Sequence, residues 1–298
     1  MAQPPAYARF RRPLELGLSA LEAMQHNDGS FPLYQRSERT AWRACGPLFS
    51  TLSVLLSAGS LMRESARLRA IDFIYRNRRR DGLWEFDPSF GIPPDADDTA
   101  CALTVAARHD RARVKEGDSV LLRSFWRADG GPFQTWRGDR SWSGRDLDDA
   151  VVNCNVVLAL QALGAPASAQ ETKAVVDLIR ASEAGCRYYC SPTTIAYAAR
   201  RAGLSLEALP ASLTAPPSSQ GFLPTAQWLS TCRRWDEDAI ERVLAAQMAD
   251  GRWPIEAWFT GAGTPKPVWG SPAISTALCL EVLSEAIASS EAPAPKTD

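Results

Sequence analysis

Two kinds of hydrophobic pattern alternate along this chain. In the first, apolar residues return every three or four positions. Leu68, Ile71, Ile74 and Tyr75 share one face among Arg63, Glu64, Arg67 and Asp72, and Ile240, Val243 and Leu244 do the same among Asp236, Glu237, Asp238 and Glu241. In the second, segments are apolar on every side: Leu48 to Ala58, Thr99 to Ala107, Val151 to Leu163, Thr193 to Ala202 and Ala273 to Leu283. The first pattern predicts half-exposed helices and the second fully buried ones. Their alternation predicts two concentric layers. Leu14 to Gln25 supplies the first outer helix. The stretch 204–234 reads as a divergent repeat, with an outer piece, Leu204 to Leu213, and an inner piece, Pro224 to Cys232. That makes six helix pairs, enough to close a ring. Strand signals are few.

Glycine punctuates the repeat. Gly29, Gly82, Gly130, Gly185 and Gly251 are spaced by 53, 48, 55 and 66 residues. In most copies Asp precedes the glycine and an aromatic residue lies two or three positions beyond, which reads as a helix stop, a tight turn and a stacking ring. Residues 13–288 are expected to form one barrel, with 1–12 as an N-terminal extension and 289–298 as a disordered tail.

Composition narrows the function. Lys+Arg 33 against Asp+Glu 34 gives no electrostatic case for nucleic acid or an anionic membrane. Seven cysteines, without a CxxC pair, suggest reduced thiols in a cytoplasmic protein, and no apolar run approaches membrane-spanning length. With only two histidines, His26 and His109, a Cys/His zinc site is not expected.

The chemistry concentrates in two acidic runs. Asp95-Ala96-Asp97-Asp98-Thr99-Ala100 opens one buried helix, and Asp146-Leu147-Asp148-Asp149 opens the next. Like charges this close cannot all ionise cheaply, so one carboxyl should hold its proton. A helix N-terminus works the other way, by favouring the charged form. Three uses remain open: a strong acid, a Mg²⁺ or Ca²⁺ site, and helix capping. Asn153 falls one turn beneath Asp149 and joins the candidates for substrate contact. So do the aromatic and basic residues of the loops: Trp136, Trp142, Trp258 and Trp269 as faces for a cation, and Arg137, Arg140, Arg145 and Lys266 for a diphosphate. The alternative for these side chains is packing for the tryptophans and solvated surface for the arginines. Phe31, Trp84 and Trp253 sit at the repeat position itself and read as packing residues.

The repeat resembles the QW motif of the squalene–hopene and oxidosqualene cyclases, in which Gln, three residues, Gly, one residue and Trp recur. Gln247, Gly251 and Trp253 match it in full, Gln25, Gly29 and Phe31 with Phe for Trp, and Gly82 and Trp84 match its second half. Residues 95–100 match the DxDDTA motif of the same cyclases, shared as DxDD by class II diterpene cyclases. The resemblance implies an (α/α)6 barrel. It also implies an acid, Asp97, that protonates an alkene or epoxide and starts a carbocation cascade, with Asp95 and Asp98 as its neighbours. Asp97 is preferred because only its motif continues Thr-Ala; Asp148 is the runner-up, with Asp149 and Asp146 beside it in the second run. Triterpene cyclases carry two barrels and often a His on the acid; this chain has one barrel pattern and neither His well placed.

The expected function is therefore proton-initiated cyclisation of a small-molecule isoprenoid, without a required cofactor, and with Mg²⁺ only if the substrate is a diphosphate. A peripheral membrane contact, a homodimer and a partner protein are left open. The competing readings are a carbohydrate-active barrel that uses both Asp clusters, and a non-catalytic barrel subunit of a two-protein cyclase.

Overall fold

The computed structural model describes residues 8–37, 40–136, 148–217, 221–261 and 266–291. In chain order its elements are α1 (Ala8–Ala23), β1 (Leu33–Ser37), β2 (Arg43–Cys45), α2 (Leu48–Ala58), α3 (Glu64–Arg76), α4 (Ala96–His109), α5 (Asp118–Arg123), α6 (Ala150–Ala162), α7 (Ala169–Ala181), α8 (Thr193–Arg201), α9 (Ala211–Thr214), α10 (Phe222–Cys232), α11 (Glu237–Ala245), β3 (Ala257–Thr260), β4 (Pro267–Gly270) and α12 (Pro272–Glu291).

The even-numbered helices form a closed inner ring: α2 packs on α4, α4 on α6, α6 on α8, α8 on α10, α10 on α12, and α12 back on α2. The odd-numbered helices lie outside it, α3 against α2 and α4, α7 against α6, α11 against α10, and α1 against α12. The fold is an all-helical (α/α)6 barrel. Ring closure explains why the inner helices are apolar all round, since each is covered by two inner neighbours and by the outer layer. It also explains α12. The segment Pro272–Ser290 is long and apolar enough to cross a membrane by length and composition, contrary to expectation, but it is the sixth inner helix and mostly buried. The third and fifth outer helices, α5 and α9, are short. Helix α1 takes in residues 8–12 of the expected extension, and α12 runs on to Glu291, into the stretch expected as tail.

The repeat residues hold the two layers together. The Gln25 side-chain amide Nε2 donates to the Gly29 carbonyl and to the Ala66 carbonyl at the start of α3. Gln247 does the same for Gly251 and for Pro13 in α1, at 3.0 and 2.9 Å. Each glutamine thus ties its own turn to the next outer helix around the ring. Gly29 and Gly251 lie at φ 94° and 89°, and a Cβ on either would run into a backbone carbonyl of that neighbouring helix, Arg69 or Leu16. The aromatic residue then turns inward. The amides of Phe31, Trp84 and Trp253 donate to Thr51, Thr99 and Thr276 of the inner helices. The Trp84 and Trp253 indoles donate to the Ile74 and Val243 carbonyls, and all three rings are fully buried.

The sequence gives little warning of one feature. A four-stranded sheet, ordered β2-β1-β4-β3, joins the first repeat to the last. Strands β1 and β4 pair antiparallel, with Tyr34 opposite Gly270 and Arg36 opposite Val268. The strands are three to five residues long, too short for a clear alternating pattern.

Candidate active site

The inner helices present their N-termini to the sheet, and a cavity of about 840 Å³ lies at that mouth. Asp95, Asp97 and Asp98 form part of its wall. Asp95 is extended, paired in an isolated bridge with Trp136, and caps α4 by accepting from the Asp98 amide at 2.7 Å. Its neighbour Ala96 is anchored by a hydrogen bond from its amide N–H to the Thr135 carbonyl. Asp97 and Asp98 then fall in the first helical turn, buried among α4, α6 and the loop before α8.

Asp97 is held from two sides. Asn155 Nδ2 donates to Oδ1 at 2.7 Å, and the Tyr189 hydroxyl donates to Oδ2 at 2.7 Å. The Cys101 thiol lies one turn below, 3.9 Å from Oδ1. Burial pushes the Asp97 carboxyl up to about 6, against the opposing effect of these donors, and the Asp149 charge adds to the rise. Burial likewise lifts Asp95 to about 7, with the charge of Asp97 contributing, and raises Asp98 well above the ordinary carboxylate range. Desolvation therefore outweighs the helix N-terminus at this cluster. Burial, the Asp95 charge and a side-chain hydrogen bond to Asp95 together favour the protonated form of Asp98.

Neither Asn155 nor Tyr189 stands out in the sequence. Asn155 is two residues past Asn153, hence on another face of α6. Tyr189 arrives from a loop that pairs with β3: Tyr189 bridges Phe259, the Cys190 amide donates to the Trp258 carbonyl, and the Thr260 amide to the Tyr188 carbonyl. The only sequence signal was the aromatic pair Tyr188-Tyr189 beside a degenerate repeat glycine.

The second acidic run has a different use. Asp149 caps α6, with Oδ1 accepting from the Val151 and Val152 amides and Oδ2 from the Arg187 and Tyr188 amides. All its acceptor directions are engaged by backbone, so it organises the loop that carries Tyr189. Asp148 pairs with Arg127 at 3.1 Å and does not line the cavity. Asp146 lies outside the described residues, as do Trp142, Arg137, Arg140 and Arg145. Asn153 does not line the cavity either. It is fully buried and bonds both the amide and the carbonyl of Phe133, so it is the counterpart in α6 of the Thr residues that hold the repeat aromatics.

Aromatic rings make up much of the remaining wall. Phe259 and Trp269 stack at 5.3 Å, and the rings of Phe49 and Phe86 meet Phe259 edge-on. Across the cavity Trp136 meets Tyr188 edge-on at 5.5 Å. Trp136 and Trp269 line the cavity. Trp258 does not; it backs Tyr189 and lines a narrow deeper cavity. Two exposed cations, Arg187 and Lys266, border the opening. Among the described residues no group of three His, Cys, Asp or Glu side chains is arranged to hold a metal ion. His109 lies at the far end of α4, near the Leu55 carbonyl.

No sequence-family model matches the chain, and no curated protein does. Solved structures do. A variant of the type II terpene cyclase MstE from Scytonema, in complex with its substrate geranylgeranyl dihydroxybenzoate, is similar at TM-score 0.70 and 15% identity, over 95% of this chain and 99% of that one. Another MstE variant, in complex with the product merosterolic acid A, is similar at TM-score 0.69 and 14% identity, over 95% and 99%. A protein from Actinoplanes gives TM-score 0.69 and 15% identity, over 93% and 99%. The likeness establishes the barrel fold, from end to end of both chains.

Proposed function

We propose that this chain is a type II terpene cyclase that protonates the terminal alkene of a linear polyprenyl substrate. The observation that carries the reading is Asp97: a carboxyl with a raised pKa, fixed by Asn155 and Tyr189, in the wall of an aromatic cavity. In its protonated form Asp97 donates to the alkene carbon. Positive charge then moves along the chain as rings close, and the faces of Trp269, Phe259, Phe49 and Trp136 stabilise it through their quadrupoles. Loss of a proton, or capture of water, ends the sequence. Donors that favour the Asp97 carboxylate make it the better acid, because they stabilise the state formed as the proton leaves.

The structural neighbours include complexes with geranylgeranyl dihydroxybenzoate, so a prenylated aromatic acid is the first substrate class to test. Its carboxylate would sit at Arg187 and Lys266, leaving the hydrocarbon to the aromatic wall. The proton step needs no metal; Mg²⁺ would matter only for a diphosphate head group. A carbohydrate-active reading that uses both Asp clusters needs the second one at the mouth, and Asp148 and Asp149 are both engaged elsewhere.

The test is incubation with geranylgeranyl dihydroxybenzoate, with farnesyl and geranylgeranyl diphosphates and with squalene, with and without Mg²⁺, followed by mass detection of products. The expected result is a cyclic product from at least one of them, reduced about 10³-fold or more by Asp97→Asn. Turnover that survives Asp97→Asn would refute the assignment of the acid. No cyclic product from any substrate would refute the reaction class.

A further inference from the structure

The space inside the barrel does not end at the acid. Beneath the mouth lies a second, narrow space of about 30 Å³, room on the order of a water molecule or two. Asp97 sits at the boundary. It lines the mouth, while Asn155 and Cys101, which approach its Oδ1, line the space below. Leu56, Val151 and Leu278 give that lower space an apolar wall. Its chemistry suits hydrocarbon, but its size does not admit a five-carbon prenyl unit.

Among the described residues, two side chains line both spaces, Tyr189 and Phe49. Tyr189 is fixed by its bond to Asp97 Oδ2. Phe49 is the other half of the partition, a buried ring packed edge-on against Phe259 at 4.9 Å. On α2, Phe49, Ser53 and Leu56 follow one another on a single face, so the position directly beneath the ring belongs to a serine. Ser53 turns its hydroxyl back onto the Phe49 carbonyl at 2.8 Å. A small residue there leaves the lower space open, and the Phe49 ring closes it from above.

Building on the reading of Asp97 as the acid, we infer that Phe49 is the stop that sets the register of the prenyl chain against Asp97. The chain enters from the mouth with its terminal isoprene unit leading, and the Phe49 ring halts it with the terminal alkene level with the carboxyl. An advance of one unit would carry the terminal isoprene into the lower space and bring the next alkene to Asp97. With the ring in place that slip has no room, because a close-packed interior does not yield a unit's volume. Phe49 thus selects which alkene receives the proton.

The product records the register. In deuterium oxide the exchangeable proton of Asp97 is a deuteron. In the correct register it bonds to the CH carbon of the terminal alkene, the neighbouring carbon takes the positive charge, and the electron pair of the next alkene closes the first ring. After a slip of one unit the deuteron bonds to the next alkene instead, and the terminal unit stays uncyclised. Loss of a proton or capture of water ends the cascade in either register, so each donated deuteron leaves one carbon-bound label. Its position distinguishes the two.

Wild type, Phe49→Ala, Phe49→Leu and the double variant Phe49→Ala/Ser53→Leu would be incubated in deuterium oxide with geranylgeranyl dihydroxybenzoate, or whichever of the substrates above is turned over, and the label located by NMR. Loss of the ring also removes a face from the cavity wall, so rates should fall, but the ratio of internal to terminal label is independent of rate. That ratio should rise about tenfold or more in Phe49→Ala, the discrimination a pocket loses when it no longer excludes a few methylenes. It should rise less in Phe49→Leu, and return toward wild type in the double variant, where leucine fills the space below. Phe49→Leu keeps most of the volume and serves, with the same change at Ser53, if Phe49→Ala fails to fold. A ratio equal to wild type in the Phe49 variants would overturn the stop and leave Asp97 as the acid. So would a raised ratio that Ser53→Leu does not lower, since that marks a general loosening of the site. If wild type places no deuterium on any alkene carbon, the reading of Asp97 fails and the stop falls with it.

Discussion

At the scale of single residues, the site depends on how burial and hydrogen bonding oppose each other at Asp97. As the proposed acid, Asp97 works only while protonated, so kcat/KM should fall as pH rises through about 6. The Tyr189 hydroxyl favours the carboxylate. Tyr189→Phe should therefore move that fall to higher pH and lower kcat, as a pH–rate profile would show. Burial also makes Asp97 a burden on stability. Its folded pKa lies above the unfolded value, so its favourable contribution is complete below about pH 4 and is lost as pH rises through about 6. Asp97→Asn removes the buried charge. It should unfold at higher urea concentration than wild type at pH 8, by up to about 3 kcal/mol, with the difference vanishing near pH 4. A variant that is inactive and more stable is the signature of a strained acid.

At the scale of elements, the two faces of α6 divide structure from chemistry. Asn153 closes the repeat turn around Phe133, and Asn155 reaches across to Asp97. Asn153→Ala should cost about 2 kcal/mol or more in urea unfolding, because it leaves buried backbone groups at Phe133 unpaired, and its effect on kcat/KM should be small in the fraction that folds. Asn155→Ala should do the reverse. The repeat turns offer a second comparison. Gln247→Ala loses two bonds at a half-buried site, an expected cost of about 1–2 kcal/mol. Gly251→Ala should cost more, because φ of 89° is strained for Ala and its Cβ meets the Leu16 carbonyl. Urea midpoints at constant m-value would rank the two.

At the scale of the whole molecule, the barrel is a closed ring whose ends must meet. Three features make that junction: α1 on α12, Gln247 on Pro13, and β1 on β4. Arg9 adds a salt bridge to Glu237 at 2.6 Å. Deletion of residues 1–23 would expose the apolar face of α12 and leave the last repeat without its outer neighbour. Calorimetry should then show a broad, low-enthalpy transition in place of one cooperative peak. The sheet at the junction also forms one wall of the mouth, through Phe259, Thr260, Pro267 and Trp269. Closure of the ring and completion of the cavity are thus one event, and damage to the junction should cost activity along with stability.

Much of this protein was legible in its chain. Helical period and all-round apolarity separated inner from outer helices, since both follow from burial at each position. The repeat glycines and aromatics marked the turns because the backbone there admits few alternatives. The run 95–98 announced carboxyls that hold their protons to higher pH, because like charges in a buried helix start must share protons. Other features depended on distance in space. The sheet pairs residues more than two hundred positions apart through strands too short to carry a period. Asp148 and Asp149 look like a second copy of the acidic run, yet their partners, Arg127 and the amides of residues 187 and 188, take them out of the cavity. Asn153 and Asn155 are the same residue type two positions apart, and only the packing of α6 against α4 and the repeat turn gives one to the scaffold and the other to the acid. A sequence specifies each local environment through neighbours along the chain. Which carboxylate meets a cavity is set by neighbours across the ring, and these exist only once the ring is closed.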